Sequence, residues 1–189
     1  MAYDWVVFDA DETLFRFDAK RGLTQLLQSY DVDFTETHFK RFKEVNAPLW
    51  EAFQRGEISA ADIKARRFVD WEDRLGVSST ELNRQFMAQM GTISSTLDGA
   101  GSMLTALDDK VRMGIITNGF VELQQERLAT HQFEQFFQFV VVSEALGVAK
   151  PHPEILQHTH RQHISEEVPT SRILMVGDNP YSDILGGQR

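Results

Sequence analysis

Four short apolar runs in the chain predict buried β-strands. They cover Trp5–Phe8, Val111–Ile116, Phe137–Val142 and Arg172–Val176, and each leads into polar or glycine-containing sequence. Near-continuous apolar strands separated by helical stretches are typical of a parallel sheet with helices on its faces. We therefore expect an α/β fold built on a Rossmann-like parallel sheet.

A long helical segment separates the first two predicted strands. About a hundred residues lie between them, far more than one crossover needs. Apolar side chains recur there at intervals of three or four residues, over 39–53, 61–75 and 82–93. The pattern predicts an inserted helical domain over 16–95 and a sheet domain formed by 1–15 together with 96–189.

Composition and charge narrow the function classes. The 189 residues carry a net charge of −9, which argues against nucleic acid as a partner because phosphate neutralisation needs a basic face. There is no cysteine, so disulfides, thiolate catalysis and zinc–thiolate sites are excluded. The N-terminal residues lack the basic and apolar regions of a signal peptide, and no run is long enough to span a membrane. We expect a cytoplasmic protein.

Polar side chains with shared chemistry follow the predicted strands. They are Asp9, Asp11, Thr117, Asn118, Lys150, Asp178 and Asp183. Ligands of open α/β sheets bind beyond the carboxyl ends of the strands, so we expect these side chains to meet. Carboxylate oxygens suit Mg²⁺, and a lysine with hydrogen-bond donors facing that metal suits a phosphoryl group. A carboxylate can also act as a nucleophile.

The same residues resemble the motifs of the haloacid dehalogenase (HAD) superfamily. Asp9-Ala10-Asp11-Glu12-Thr13 is similar to its DxDxT motif, and the other motifs follow in order: Thr117-Asn118, Lys150-Pro151, and Gly177-Asp178 with Asp183. A lone DxDxT would be a weak signal, whereas four motifs at strand ends are specific. The resemblance implies a HAD fold whose helical insertion is a cap domain.

The resemblance also implies a role for each motif residue. Asp9 would attack phosphorus, and Asp11 would protonate the leaving oxygen and later deprotonate water. Mg²⁺ would be held by Asp9, Asp178 and the backbone carbonyl of Asp11. Thr117, Asn118 and Lys150 would bind the phosphoryl oxygens, and Asp183 would orient Lys150 or the water around the metal.

A narrower resemblance concerns bacterial pyrimidine 5′-nucleotidases of this superfamily. It is carried by stretches such as VNAPLW in the helical segment and GIITNGFVELQQERL after the second strand. It implies a nucleoside 5′-monophosphate as the small-molecule substrate and an aromatic surface for the base. Trp50, Phe17 and Phe15 are candidates for that surface, although most aromatic residues in such helices form the core.

Several alternatives stay open at this stage. An aspartate after a strand is often only a helix cap. The clustered histidines of 152–163 do not share one helix face, which argues against a metal site formed by them. A dehalogenase has no alkoxide leaving group and needs no acid to protonate one. Asp11 would supply such an acid, so its presence favours phosphate ester hydrolysis over dehalogenation. A HAD phosphatase or phosphomutase for another small phosphometabolite is an alternative because the cap sets the substrate. An inactive, shortened binding module is another.

The chain's end leads to an expectation about assembly. The sequence stops shortly after Asp183, and relatives of this kind continue into a fifth strand beside the fourth. The 172–176 strand is then an apolar sheet edge, and such an edge invites pairing with a second chain. We expect self-association through this strand.

Overall fold

The sheet of the protein has four parallel strands. The computed structural model describes residues 2–188. The strands are β1 (Trp5–Phe8), β2 (Arg112–Thr117), β3 (Val140–Val142) and β4 (Ile173–Val176), in the spatial order β3-β2-β1-β4. In the register of the sheet, Val7 of β1 pairs with Gly114 on one side and Met175 on the other. The predicted α/β fold is confirmed.

The predicted strand bounds differ in detail from the observed ones. β1 matches the prediction, β2 ends one residue later, at Thr117, and β4 begins one residue later, at Ile173. β3 is shorter than predicted because ladder pairing begins only at Val140. A turn of 3-10 helix, Glu134–Phe136, precedes it. The apolar run before Val140 reflects packing, since Phe136 and Phe139 are buried.

Ten α-helices accompany the sheet in the part of the chain that the structure describes. They are α1 (Ala19–Gln28), α2 (Glu36–Gln54), α3 (Ala60–Arg66), α4 (Val69–Leu75), α5 (Ser79–Thr92), α6 (Ala100–Leu107), α7 (Val121–Thr130), α8 (Ser143–Leu146), α9 (Pro153–Thr159) and α10 (Leu185–Gly187). Helical turns of the π type lie at His160–Ile164 and Pro180–Ile184. No helix among residues 2–188 combines the length and apolar character that crossing a membrane requires.

The chain divides into two units, and each has its own core. One unit comprises Met1–Arg16 and Ser95–Arg189, and the other is Phe17–Ser94. In the sheet unit, alternate residues of β1 face opposite sides, so Val6 and Phe8 join one apolar cluster while Trp5 and Val7 join the other. The assignment of 16–95 as a cap domain stays a prediction.

The helical unit is built around an aromatic cluster. The rings of Phe42, Phe68 and Phe86 lie 5.5–6.0 Å apart. The segment 61–75, which has one continuous helical pattern, forms two helices that break at Arg67 and Phe68. There the backbone N–H of Phe68 donates to the Ser79 hydroxyl at 3.1 Å instead of continuing a helix.

The strand β4 lies at an edge of the sheet. Its one strand neighbour among the described residues is β1, and all its residues are half-buried. This is the edge position expected from the sequence. The pairing of this edge with a second chain stays a prediction.

Gly114 generates a test of the packing between β2 and the segment before β3. A Cβ atom at Gly114 would lie 2.2 Å from the Phe139 ring, which is buried and cannot simply move aside. Gly114→Ala is therefore expected to lower the free energy of unfolding by roughly 1–3 kcal/mol, as overpacking does. Urea or thermal unfolding measures the change.

Gly101 in α6 provides the matched control. A Cβ there would meet the Phe133 ring at 3.6 Å, an ordinary contact, and alanine favours a helix by roughly 0.5–1 kcal/mol over glycine. Gly101→Ala should leave stability unchanged or raise it. Equal stability of Gly114→Ala and the parent chain would contradict the tight packing described for Phe139.

Candidate active site

The polar residues that follow the strands do meet, at the carboxyl edge of the sheet. Asp9 comes directly after β1, and its backbone N–H donates to the Val176 carbonyl at the end of β4 at 2.8 Å. Thr117 is the last residue of β2. Because the strands are parallel and in register, their ends bring residues distant in sequence to one place.

A buried lysine lies between two buried carboxylates. The Lys150 ammonium donates to Asp9 Oδ1 at 2.6 Å and forms an ion pair with Asp183 Oδ1 at 2.7 Å. The Lys150 and Asp183 side chains are each only 1% exposed. Two carboxylates face one ammonium group here, so the cluster has more negative charge than its own cation neutralises.

The protonation of Asp9 reflects this crowding. Burial raises the pKa of its carboxyl from 3.8 to about 6, and the neighbouring Asp11 and Asp183 carboxylates act in the same direction. The Lys150 ammonium opposes that rise in pKa but does not cancel it. Asp9 is therefore ionised at neutral pH, at a cost in folding free energy.

The donor set beside Lys150 fits a hard divalent cation. Carboxylate oxygens of Asp9, Asp178 and Asp183 all lie within 4.8 Å of one another. The buried Asp183 Oδ1 has its ion pair with Lys150 but no correctly directed hydrogen bond among the described residues. Burial and Asp183 also raise the pKa of the exposed Asp178. Oxygen-only donors with an incomplete hydrogen-bond set are what Mg²⁺ prefers.

A glycine and a polar loop make room for Asp183. A Cβ at Gly177 would lie 2.3 Å from the Asp183 carboxyl carbon, so a larger residue would displace the carboxylate. The Asn179 backbone N–H donates to Asp183 Oδ2 at 3.0 Å. The Asp183 carboxylate lies within 4.8 Å of the Asp9 and Asp178 oxygens and also pairs with Lys150. Its expected role, to orient Lys150 or the water around the metal, stays a prediction.

Asn118 makes a contact that the sequence did not predict. Its amide donates to the Lys150 carbonyl at 2.9 Å and accepts from the Lys150 N–H at 2.8 Å. Asn118 thus holds the backbone of Lys150. Its expected contact with phosphoryl oxygens stays a prediction. The fully buried Thr117 hydroxyl accepts from the Gly119 N–H at 3.0 Å, and its expected phosphoryl contact stays a prediction.

The Asp11 carboxylate lies against two residues that the sequence analysis missed. Arg127 donates to Asp11 Oδ1 at 2.8 Å, and Gln124 donates to Oδ2 at 3.2 Å. Both come from the buried face of α7, which also carries Leu123 and Leu128. The signal was present in the sequence: two polar residues occupy the apolar stripe of an amphipathic helix.

The aromatic candidates for a base-binding surface have different positions. Phe15 is fully buried in the sheet unit, where it contacts Phe133, so its proposed pocket role is wrong. Phe17 and Trp50 lie in the helical unit and are half-buried. Trp50 packs edge-on against Phe53, with 5.9 Å between the ring centroids. Their role stays a prediction.

Comparisons with known proteins identify the family of the chain. The profile of the haloacid dehalogenase-like hydrolases matches residues 3–189. The chain is 43% identical to pyrimidine 5′-nucleotidase YjjG of Escherichia coli over 187 residues, which cover 99% of this chain and 82% of that protein. It is 30% identical to pyrimidine 5′-nucleotidase PynA of Streptococcus pneumoniae, covering 99% and 80%.

Solved structures agree on the architecture. The HAD-hydrolase YfnB of Bacillus subtilis, crystallised with magnesium, superposes with a TM-score of 0.90 at 25% identity, covering all of this chain and 85% of that one. L-2-haloacid dehalogenase of Xanthobacter autotrophicus shares the fold, with a TM-score of 0.71 at 19% identity, covering 98% and 74%. The chain is an enzyme that belongs to the haloacid dehalogenase-like hydrolase family.

Proposed function

We propose that the protein is a Mg²⁺-dependent phosphomonoesterase that hydrolyses nucleoside 5′-monophosphates, with a preference for pyrimidines. The observation that carries the proposal is the buried Asp9–Lys150–Asp183 group beside Asp178 at the carboxyl edge of the sheet. The similarity to two pyrimidine 5′-nucleotidases over nearly the whole chain supports the choice of substrate.

Asp9 is the nucleophile of the proposed reaction. Lys150 binds its Oδ1 and thereby fixes the carboxylate, which is ionised at neutral pH because its pKa is about 6. A carboxylate oxygen of Asp9 forms a bond to phosphorus while the ester oxygen leaves with the bonding electron pair. Mg²⁺ held by Asp9, Asp178 and the Asp11 carbonyl, with Asp183 adjacent, would neutralise charge on the phosphoryl oxygens.

Asp11 moves the protons of the two half-reactions. An alkoxide is a poor leaving group, so the ester oxygen takes a proton from the Asp11 carboxyl as it departs. Water then gives a proton to the Asp11 carboxylate and attacks the phosphorus of the aspartyl phosphate. The bond to Asp9 breaks, and inorganic phosphate is released. Asp11 distinguishes this chemistry from dehalogenation, in which the departing halide needs no proton.

The first prediction concerns the nucleophile. Asp9→Asn should lower turnover by roughly 10⁴-fold or more, because an amide cannot form the acyl phosphate. The same variant should be more stable than the parent at neutral pH in EDTA. Its gain in unfolding free energy is at most about 3 kcal/mol, the equivalent of a pKa raised from 3.8 to about 6.

The pH dependence of the stability follows from the raised pKa of Asp9. Since folding raises the pKa of Asp9, its stabilising contribution is present below pH 3.8 and is lost as the pH rises through about 6. Thermal melting of the two proteins should therefore diverge as the pH rises from about 4 to about 6, and the difference should stay constant at higher pH. The exposed Asp109→Asn is the control, and normal turnover of Asp9→Asn would refute the covalent route.

The second prediction concerns the metal. Mg²⁺ or Mn²⁺ should support activity and EDTA should abolish it, while Ca²⁺ should suppress it because it takes more ligands at longer distances. Mg²⁺ should also raise the melting temperature of the parent chain. Asp178→Asn, at an exposed position, should fold normally but lose most of this shift. Full activity in EDTA would contradict the proposed metal site.

The third prediction concerns the substrate. Pyrimidine monophosphates should have a higher kcat/KM than purine monophosphates and simple sugar phosphates. If Trp50 stacks on the base, Trp50→Ala should lower kcat/KM for nucleotides roughly tenfold, as expected for the loss of about 1–3 kcal/mol of stacking. Phe17→Ala tests the other candidate in the same way.

Two controls accompany this test. One keeps an aromatic ring at position 50, and the other uses a substrate that has no base. Trp50→Phe should retain most of the preference, and an aryl phosphate without a base should be insensitive to Trp50→Ala. A higher kcat/KM for phosphoglycolate or a hexose phosphate than for any pyrimidine nucleotide would overturn the substrate assignment and favour another phosphometabolite.

A further inference from the structure

Helix α7 carries two polar side chains where an apolar face is expected. Arg127 and Gln124 are each only 1% exposed, although their helical neighbours Gln125 and Glu126 are exposed. Arg127 Nη2 donates to Gln124 Oε1 at 2.9 Å, so the two side chains form one unit. A buried arginine is costly to desolvate and needs a specific partner.

The partner of this unit is the Asp11 carboxylate. Arg127 donates to Asp11 Oδ1 at 2.8 Å, and Gln124 donates to Oδ2 at 3.2 Å, so each oxygen accepts one hydrogen bond. Gln124 Nε2 also lies 3.5 Å from the Thr117 hydroxyl. Side chains of α7 therefore fix the rotamer of Asp11, although the helix is more than a hundred residues from Asp11 in the sequence.

The arrangement is poor for stability alone. Arg127 Nε and Nη1 are buried without a hydrogen-bond partner among residues 2–188. The guanidinium lies over the Phe15 ring, 4.9 Å from its centroid, which offsets only part of the desolvation. A residue that breaks the rule of satisfied buried donors, yet binds a candidate catalytic carboxylate, indicates a functional constraint.

Gly119 makes the contact of Gln124 with Asp11 sterically possible. A Cβ at Gly119 would lie 2.3 Å from Gln124 Nε2 and 3.2 Å from Asp11 Oδ2. Any side chain at this position would overlap the Gln124 amide. The amide is the end of a flexible side chain, so it would move away from Asp11. The glycine after Thr117-Asn118 therefore serves this contact.

We propose that Arg127 and Gln124 are positioning residues that fix the orientation of the Asp11 carboxylate so that it can take the proton of the hydrolytic water. This inference rests on the proposed function. The groups that bind the two Asp11 oxygens, Arg127 Nη2 and Gln124 Nε2, can only donate, and an ionised carboxylate can only accept. The arrangement matches the form of Asp11 that begins the second half-reaction.

The proposal assigns the two residues to one step of the cycle. In that step the water oxygen bonds to phosphorus, its proton moves to Asp11, and the phosphorus–Asp9 bond breaks with its electron pair returning to Asp9. Loss of Arg127 or Gln124 leaves Asp11 present but badly oriented to receive that proton. In the first half-reaction Asp11 carries a proton, which two donor groups do not accommodate, so that step should be slowed less than the second. The aspartyl phosphate should therefore accumulate and decay slowly.

The experiment measures both half-reactions in Arg127→Met and Gln124→Met. With a ³²P-labelled pyrimidine monophosphate and acid quenching, kcat should fall roughly 10- to 100-fold, the usual cost of losing a residue that orients a catalytic group. The value of kcat/KM, which ends at leaving-group release, should fall much less, and trapped phosphoenzyme should rise. Glu126→Met and Gln125→Met, at exposed neighbouring positions, are the matched controls and should behave as the parent chain.

Two further variants separate positioning from damage to the helix. Gly119→Ala keeps every polar group but displaces Gln124, so it should also accumulate phosphoenzyme. In an Asp11→Asn background, Arg127→Met should have little further effect, because it acts through Asp11. Equal losses of kcat and kcat/KM, or losses that persist undiminished in the Asp11→Asn background, would overturn the proposal.

The outcomes also distinguish this inference from the proposed function. If the parent chain forms no phosphoenzyme and Asp11→Asn turns over normally, the phosphatase mechanism itself fails. If Asp11→Asn accumulates phosphoenzyme while Arg127→Met, Gln124→Met and Gly119→Ala do not, the mechanism stands and the positioning role is wrong.

Discussion

The buried ion pair of Lys150 with Asp9 and Asp183 is the constraint on which the candidate site depends. A lysine that is 1% exposed is tolerated only with close anionic partners, and a second carboxylate leaves an excess of negative charge. Burial, together with that excess, raises the pKa of Asp9. The excess also favours a cation beside Asp178. The fold therefore keeps a group of charges that reduces its stability but is suited to binding Mg²⁺ and a phosphoryl group.

The parallel sheet is what makes such a crowded group possible. Strand ends in register bring Asp9, Lys150 and Asp183 together from distant parts of the chain, and glycine supplies the remaining space. Gly177 admits the Asp183 carboxylate, and Gly119 admits the Gln124 amide, because a Cβ atom at either position would fall within 2.3 Å of those groups. The two glycines act through the volume they leave free, since neither has a positive φ.

The sequence predicts the architecture well because the strands are short, buried and apolar, and because polar residues mark their ends. It predicts less well where pairing or a single contact decides the outcome. β3 begins only at Val140, although Phe137 and Phe139 extend the apolar run toward the N-terminus. The helical pattern of 61–75 breaks at Phe68, where the backbone N–H donates to the Ser79 hydroxyl. The contact between Asn118 and the Lys150 backbone likewise depends on loop geometry, which residue type alone does not specify.

Arg127 shows how a site residue without a motif can be identified. A motif search finds side chains at strand ends. Arg127 is instead the seventh residue of α7 and lies on its buried face. Its burial among leucines is unfavourable unless a carboxylate lies opposite, and Asp11 is that carboxylate. This inference from residue type is weaker in the helical unit. Aromatic residues at helical spacing are as suitable for packing a core as for contacting a ligand. Trp50 and Phe17 therefore need a substrate measurement, whereas the charge on Arg127 already specifies what it must contact.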